Sequence, residues 1–141
     1  MNLIQTIELE PHTKPRMVAS DRWKKRASTE QYWRYKDLLR GLFSGESLPI
    51  PYLLVFVMPM PKSWGKGKRT KLKGKPCEST PDKDNLEKGF LDALFDKESE
   101  VKSDAHIYDG RTLKIWGEKG RIVVYSIDPI PEEIIALHTN L

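Results

Sequence analysis

The chain has 141 residues, near the commonest size for one domain, and we expect a single domain over residues 1–141. Hydrophobic residues make up 38% and charged residues 31%, which allows a closed core and argues against wholesale disorder. The longest apolar stretch, 49–61, is short and interrupted by prolines, so we expect no transmembrane segment, and the uncharged N-terminus argues against a secretory signal.

Three elements are predicted in the first half of the chain. Leu3–Leu9 alternates apolar and polar residues, as in a half-buried strand. A helix over 29–43 is indicated by a capping box, with Ser28 as N-cap and Gln31 three residues later. Its apolar residues recur at helical spacing: Tyr32, Tyr35, Leu39 and Leu42. The continuous apolar run Tyr52–Met58 is typical of a strand covered on both faces.

The second half adds helices and a second group of strands. Leu86, Phe90, Ala93 and Leu94 mark a short helix that we expect Asp84 to cap. Ala105–Tyr108 and Thr112–Trp116 are predicted to be extended, the latter forming a hairpin with Arg121–Ile127. Pro131–Leu137 is predicted to be a terminal helix. This order indicates an α+β fold: a mixed or mostly antiparallel sheet with helices packed on one face.

Charge is sorted along the chain. Residues 14–40 carry nine basic against three acidic residues, and residues 78–109 carry ten acidic against four basic residues. Between them, 62–76 is basic with no acid: Lys62, Lys66, Lys68, Arg69, Lys71, Lys73 and Lys75. We expect this glycine-spaced stretch to be a mobile loop that becomes ordered on nucleic acid, although a solvated surface loop would show the same pattern. Trp64 would either stack on a base or anchor the loop.

Carboxylates follow the basic stretch at a spacing that suits a metal site. Asp82 and Asp84 precede a helix, Lys88 lies one turn after Asp84, and Asp104 could fold back beside the pair. Such hard oxygen ligands suit Mg²⁺ or Mn²⁺, and with a basic surface they indicate phosphodiester hydrolysis. The alternative is structural, with Asp84 as an N-cap and Asp82 as a partner of the helix dipole.

The single cysteine, Cys77, is predicted to have no catalytic role, because no histidine is placed by sequence as its base. It cannot form an internal disulfide, and the three histidines show no zinc-finger spacing with it. A reducing, cytoplasmic setting is therefore expected.

The acidic segment resembles the signature of RusA-type Holliday junction resolvases. That pattern is P-D-x-D-N-L-x-K, then D-A-L, then D-D-x-x-I before a strand. Here it corresponds to 81–88, to 92–94 and to 103–107, where Ser103 replaces the first aspartate of the last motif and His106 stands where glutamine is frequent. The resemblance covers about 1–128 and includes Lys14-Pro15-Arg16 after the first strand; it leaves 129–141 as a tail or short helix.

The resemblance implies that Asp82, Asp84 and Asp104 bind Mg²⁺, with Mn²⁺ as a possible substitute, and that Lys88 is essential. It implies a homodimer that nicks opposing strands of a four-way DNA junction in recombination and repair. Lys14, Arg16 and the basic stretch would contact the DNA backbone. Two alternatives remain open from the residues alone: a non-catalytic nucleic-acid-binding protein, and a dimeric structural protein that associates through its hydrophobic strand.

Overall fold

The computed structural model describes residues 1–16, 26–95 and 104–139. It contains four strands, β1 (Asn2–Ile7), β2 (Tyr52–Pro59), β3 (Gly110–Gly117) and β4 (Arg121–Ser126). Its four α-helices are α1 (Ala27–Leu42), α2 (Lys66–Leu72), α3 (Lys83–Leu94) and α4 (Glu132–Ala136). Among the described helices, none is long and apolar enough to cross a membrane.

The four strands form one mixed sheet in the order β1-β4-β2-β3. β2 runs parallel to β3 and antiparallel to β4, while β1 pairs antiparallel with β4. The predicted α+β fold with a mixed sheet is therefore confirmed. The predicted hairpin of the last two strands is wrong, because β2 lies between them and takes hydrogen bonds from both.

The core lies between α1, α3 and one face of the sheet. Alternate residues of β2, namely Tyr52, Leu54, Phe56 and Met58, belong to the core cluster. Tyr32 and Leu39 of α1 and Leu86 and Phe90 of α3 pack against them. Val55 and Val57 point to the opposite face and are also buried, which agrees with the prediction that both faces of this strand are covered.

The N-terminal strand departs from simple alternation. Ile7 is buried, but Leu3 is 58% exposed, although both were expected on one face. The register shifts between Leu3 and Gln5, so one extra residue reverses the side on which the earlier residues point. A sequence pattern of period two does not reveal such a bulge.

Helix α1 begins earlier than predicted. Arg26, not Ser28, is its N-cap, and this residue makes no capping hydrogen bond with its side chain. Tyr32, Tyr35 and Leu39 are buried as expected, whereas Leu42 is 47% exposed and Phe43 is buried instead. The predicted capping box is therefore wrong, because Ser28 already lies inside the first turn.

The basic stretch was predicted to be a loop, but part of it, Lys66–Leu72, is helical. This part is α2, and Arg69 ties the helix to the domain by donating to the Pro61 carbonyl and pairing with Glu118, both at 2.8 Å. Trp64 packs edge-on against Trp116 with ring centroids 4.9 Å apart, and the Lys68 amine lies 4.3 Å from the Trp64 ring. Trp64 thus serves as an anchor, the second of its two predicted roles.

The C-terminal part also differs from the prediction in detail. Asp104–His106 is a short 3₁₀ helix rather than an extended segment. The predicted terminal helix is present as α4, with Pro131 at its N-cap. Residues 17–25, 96–103 and 140–141 lie outside the described ranges, and with them three basic residues of the first positive segment and Ser103.

Candidate active site

Helix α3 places the two central aspartates at its start. Asp82 is its N-cap and makes no capping hydrogen bond with its side chain, and Asp84 is the second helical residue. The prediction that Asp84 caps the helix is therefore wrong. Both side chains are exposed, and carboxylates at this end are favoured by the helix dipole.

One flank of α3 borders a basic notch with a volume of about 450 Å³. Lys88 and Asn85 contribute from the helix, and Lys14 and Arg16 contribute from the loop that follows β1. The structure thus brings Lys88 together with two of the predicted DNA-contacting residues. Three cationic side chains around one open notch suit an anionic group such as a phosphate.

A glycine in α3 allows this notch to form. A Cβ at Gly89 would lie 2.9 Å from the His12 carbonyl oxygen and 3.0 Å from the Lys14 amide nitrogen. The loop therefore rests directly on the helix, and the Lys14 amine lies 3.5 Å from the Asp92 carboxylate. The Tyr32 hydroxyl donates to the Gly89 carbonyl at 2.9 Å, which fixes this turn of α3 against α1.

The other flank of α3 borders an acidic pocket. Asp104 lines it together with Glu87 of α3 and Asp109, which immediately precedes β3. Tyr52 and Gly110, the first residues of two paired strands, also line it. Asp104 therefore lines a pocket that borders the same helix as Asp82 and Asp84, and two unpredicted carboxylates line this pocket as well.

Glu87 is held by a buried tyrosine. The Tyr52 hydroxyl donates to Glu87 Oε2 at 2.6 Å, and the tyrosine is 2% exposed. Burial raises the pKa of Tyr52, and the carboxylates of Glu87 and Asp109 raise it further, so the hydroxyl stays protonated and donates. A Cβ at Gly110 would overlap the tyrosine ring, so the glycine leaves the space that the ring fills.

The spacing along α3 explains why the two pockets differ. Residues 84, 87 and 91 are three or four apart and form one stripe, whereas 85, 88 and 92 form a neighbouring stripe. The first stripe faces the acidic pocket through Glu87 and Leu91, and the second faces the basic notch. Asp84 neighbours both Glu87 and Lys88 on the helix surface, so it lies where the two stripes meet.

The predicted ligands fit a divalent cation in their chemistry, since hard carboxylate oxygens are the donors that Mg²⁺ prefers. Within residues 1–16, 26–95 and 104–139, no three Asp, Glu, His or Cys side chains are grouped closely enough to hold a metal ion. Asp82 and Asp84 share the start of α3, and Asp104 lines the adjacent pocket. The structure therefore places the three carboxylates around one helix without joining them into a single cluster.

A lysine that the sequence patterns did not single out supports the start of α3. Lys114 of β3 donates to the carbonyl oxygens of Ser79 at 2.5 Å and Pro81 at 2.6 Å. These carbonyls lie three residues and one residue before Asp82, so the lysine connects the sheet to the acidic segment. The prediction that Thr112–Trp116 is extended gave no indication of this role.

The remaining predicted DNA-contacting residues lie on and around α2. Lys62, Lys66, Lys68, Lys71, Lys73 and Lys75 are exposed, whereas Arg69 is half-buried and ion-paired. Cys77 is buried in the core cluster. Arg69 thus holds α2 to the rest of the domain, whereas the positive charges of the lysines in this segment lie at the solvent-exposed surface.

Comparison with known families gives a match to the endodeoxyribonuclease RusA family over residues 8–125. This range includes α1, β2, the basic notch, α2, α3, β3 and the acidic pocket. No curated protein and no solved structure matches the chain. Because the family match spans most of the 141 residues and both flanks of α3, the chain belongs to the RusA endodeoxyribonuclease family.

Proposed function

We propose that this protein is a Mg²⁺-dependent endonuclease that resolves four-way DNA junctions by paired nicks on opposing strands, in recombination and repair in the cytoplasm. The main support for this proposal is the arrangement around α3, with Lys88, Lys14 and Arg16 on one flank and Asp104 on the other. Family membership supports nuclease chemistry on DNA. This arrangement also favours hydrolysis at α3, because Asp84 lies on the helix surface between the stripe that faces the basic notch and the stripe that faces the acidic pocket.

In the proposed reaction, the scissile phosphate lies over the first two turns of α3. Asp82, Asp84 and Asp104 would hold the cation, which activates water and offsets charge on the phosphate when bound. Lys88 lies at the border of the basic notch, where its amine would stabilise negative charge that develops on the phosphoryl oxygens. Mn²⁺ would serve in place of Mg²⁺ because it accepts the same oxygen ligands.

The DNA backbone would continue from this site over two basic surfaces. Lys14 and Arg16 lie beside the site, and the exposed lysines of 62–75 add charge that the anchored α2 holds in place. Lysine contacts of this kind release counterions from DNA, so binding should weaken steeply with salt. Phosphate contacts carry no sequence information. We therefore expect the protein to recognise a branched substrate by the shape of the DNA.

A homodimer would supply two such sites, as paired nicking requires. The sheet face opposite α1 and α3 supports this proposal, since Leu113, Val55 and Val123 are paired side by side on it. Leu113 is 40% exposed and Leu3 is 58% exposed. A second copy that covers this apolar face would bury both. Sedimentation of the wild type and of Leu113→Glu would show a dimer and a weakened dimer, respectively, whereas a monomeric wild type would contradict this part of the proposal.

To test the proposed function, the purified protein is incubated with a synthetic four-way junction and with linear duplex of the same sequences, with and without Mg²⁺. We expect symmetric nicks in the junction only, and only with the cation. A protein that binds both DNAs in a salt-sensitive manner without cutting either would favour the alternative, a non-catalytic nucleic-acid-binding protein. A protein that binds neither DNA would contradict both.

A further inference from the structure

The segment that leads into α3 is attached to an edge of the sheet. β3 is an outer strand in the order β1-β4-β2-β3, and the chain before α3 lies along its free side. The Trp116 amide donates to the Lys75 carbonyl and the Cys77 amide donates to the Lys114 carbonyl, both at 3.0 Å. These bonds belong to an isolated antiparallel bridge. The backbone is therefore held against β3 as far as Cys77.

Lys114 extends this attachment toward α3 through its side chain. Its amine donates to the carbonyl oxygens of Ser79 at 2.5 Å and Pro81 at 2.6 Å. Hydrogen bonds from a charged donor are roughly twice as strong as neutral ones. Lys114 is half-buried, whereas residues 78–80 are exposed. One side chain on β3 thus holds two carbonyls of the bend before the helix.

The position of Asp82 depends on the backbone on either side of it. Asp82 is the N-cap of α3, yet its side chain makes no capping hydrogen bond, and it is exposed. On the helical side, the Asp82 carbonyl accepts from the Leu86 amide at 3.1 Å. On the other side, the neighbouring carbonyl of Pro81 is the one that Lys114 holds. The lysine therefore supports the entry to the helix from outside the helix.

We propose that Lys114 is a positioning residue for Asp82 and Asp84, which sets where their carboxylates lie relative to the DNA strand that is cut. This inference rests on the proposed endonuclease function. Lys114 acts through two backbone carbonyls and not on the DNA. A displacement of about 1 Å can lower a reaction rate on the order of a hundredfold. Releasing the bend before α3 should therefore slow cleavage while the basic surfaces still bind the junction.

The test compares the wild type with Lys114→Met, which keeps an unbranched side chain and removes the amine. In single turnovers at saturating protein, the variant should cut a four-way junction on the order of tenfold more slowly, while its junction dissociation constant stays within about twofold. Hydrogen exchange measured by NMR without DNA should become faster at the Leu86 amide and stay unchanged at Leu39 in α1.

Two further variants serve as rescue and control. Lys114→Arg keeps charged donors and should recover most of the cleavage rate. Lys119→Met removes an exposed lysine from the short connection between β3 and β4, and it should leave the rate and the exchange of Leu86 unchanged.

The outcomes separate this inference from the proposed function. If the wild type cuts junctions and Lys114→Met cuts at the same rate, the positioning role is overturned and the endonuclease function stands, even when the melting temperature falls. Slower cleavage with unchanged exchange at Leu86, or with no recovery in a folded Lys114→Arg protein, would also overturn the positioning role. A wild type that cuts no junction would contradict the proposed function, and the positioning role with it.

Discussion

Gly89 provides the sharpest test of how the basic notch is built. Replacing it with alanine has two opposing effects on the free energy of unfolding. Alanine is favoured over glycine inside a helix by about 1 kcal/mol. The added Cβ would however meet backbone atoms of residues 12–14 at 2.9 to 3.3 Å, and overpacking of this kind costs about 1 to 3 kcal/mol.

The net expectation for Gly89→Ala is a loss of stability of about 0 to 2 kcal/mol, accompanied by displacement of the loop that carries Lys14 and Arg16. If both residues lose their phosphate contacts, the slope of log affinity against log salt should fall by about 1.8, at about 0.9 for each contact. Urea unfolding and fluorescence anisotropy with a labelled junction over a salt series measure the two effects.

Gly41→Ala is the matched control, because Gly41 also lies in a helix but a Cβ there would meet nothing within 4 Å. It should stabilise the protein by about 0.5 to 1 kcal/mol and leave DNA binding unchanged. A Gly89→Ala protein that is stabilised as much as Gly41→Ala and keeps the wild-type salt slope would show that Gly89 is not needed for the contact between α3 and the loop.

Four further variants test the proposed site. Lys88→Ala should fold and bind junctions but cut on the order of a hundredfold more slowly in single turnovers, whereas a rate within about threefold of wild type would identify Lys88 as a structural helix residue. Asp82→Asn and Asp104→Asn should each abolish cleavage while binding persists, and full activity in either variant would remove that residue from the proposed ligands. Replacing Lys66, Lys71 and Lys73 with glutamine should reduce the salt slope by about 0.9 for each lost contact without changing the melting temperature, and an unchanged slope would show that α2 does not touch the backbone.

Local sequence patterns predicted strands and helices well where the residues of an element are mostly buried. The run from Tyr52 to Met58 predicted a strand covered on both faces because every residue in it is apolar. The strand that it forms, β2, lies inside the sheet and pairs with both β3 and β4. Pairing partners depend on contacts between distant residues, so the local turn at 117–120 wrongly suggested a hairpin. The chain there passes from one side of β2 to the other.

The basic stretch shows a second reason for error. Charge repulsion and glycines predicted a mobile loop, but Arg69 finds Glu118, which is 49 residues away, and Trp64 finds Trp116. Neither partner is visible in a local pattern. For the site, the spacing of Asp82, Asp84 and Lys88 predicted their common helix, whereas Tyr52 and Glu87 gave no joint signal because they are 35 residues apart.

The carboxylates at the start of α3 are proposed to hold the cation that cleavage of branched DNA requires. The most direct test of this role compares wild type with Asp84→Asn in single-turnover cleavage of a four-way junction in Mg²⁺, with junction binding measured separately in Ca²⁺. We predict that the wild type introduces paired symmetric nicks and that the variant binds the junction with similar affinity but cuts at least a hundredfold more slowly. Equal cleavage by both proteins would contradict the role of Asp84, and no cleavage by the wild type would contradict the proposed endonuclease function.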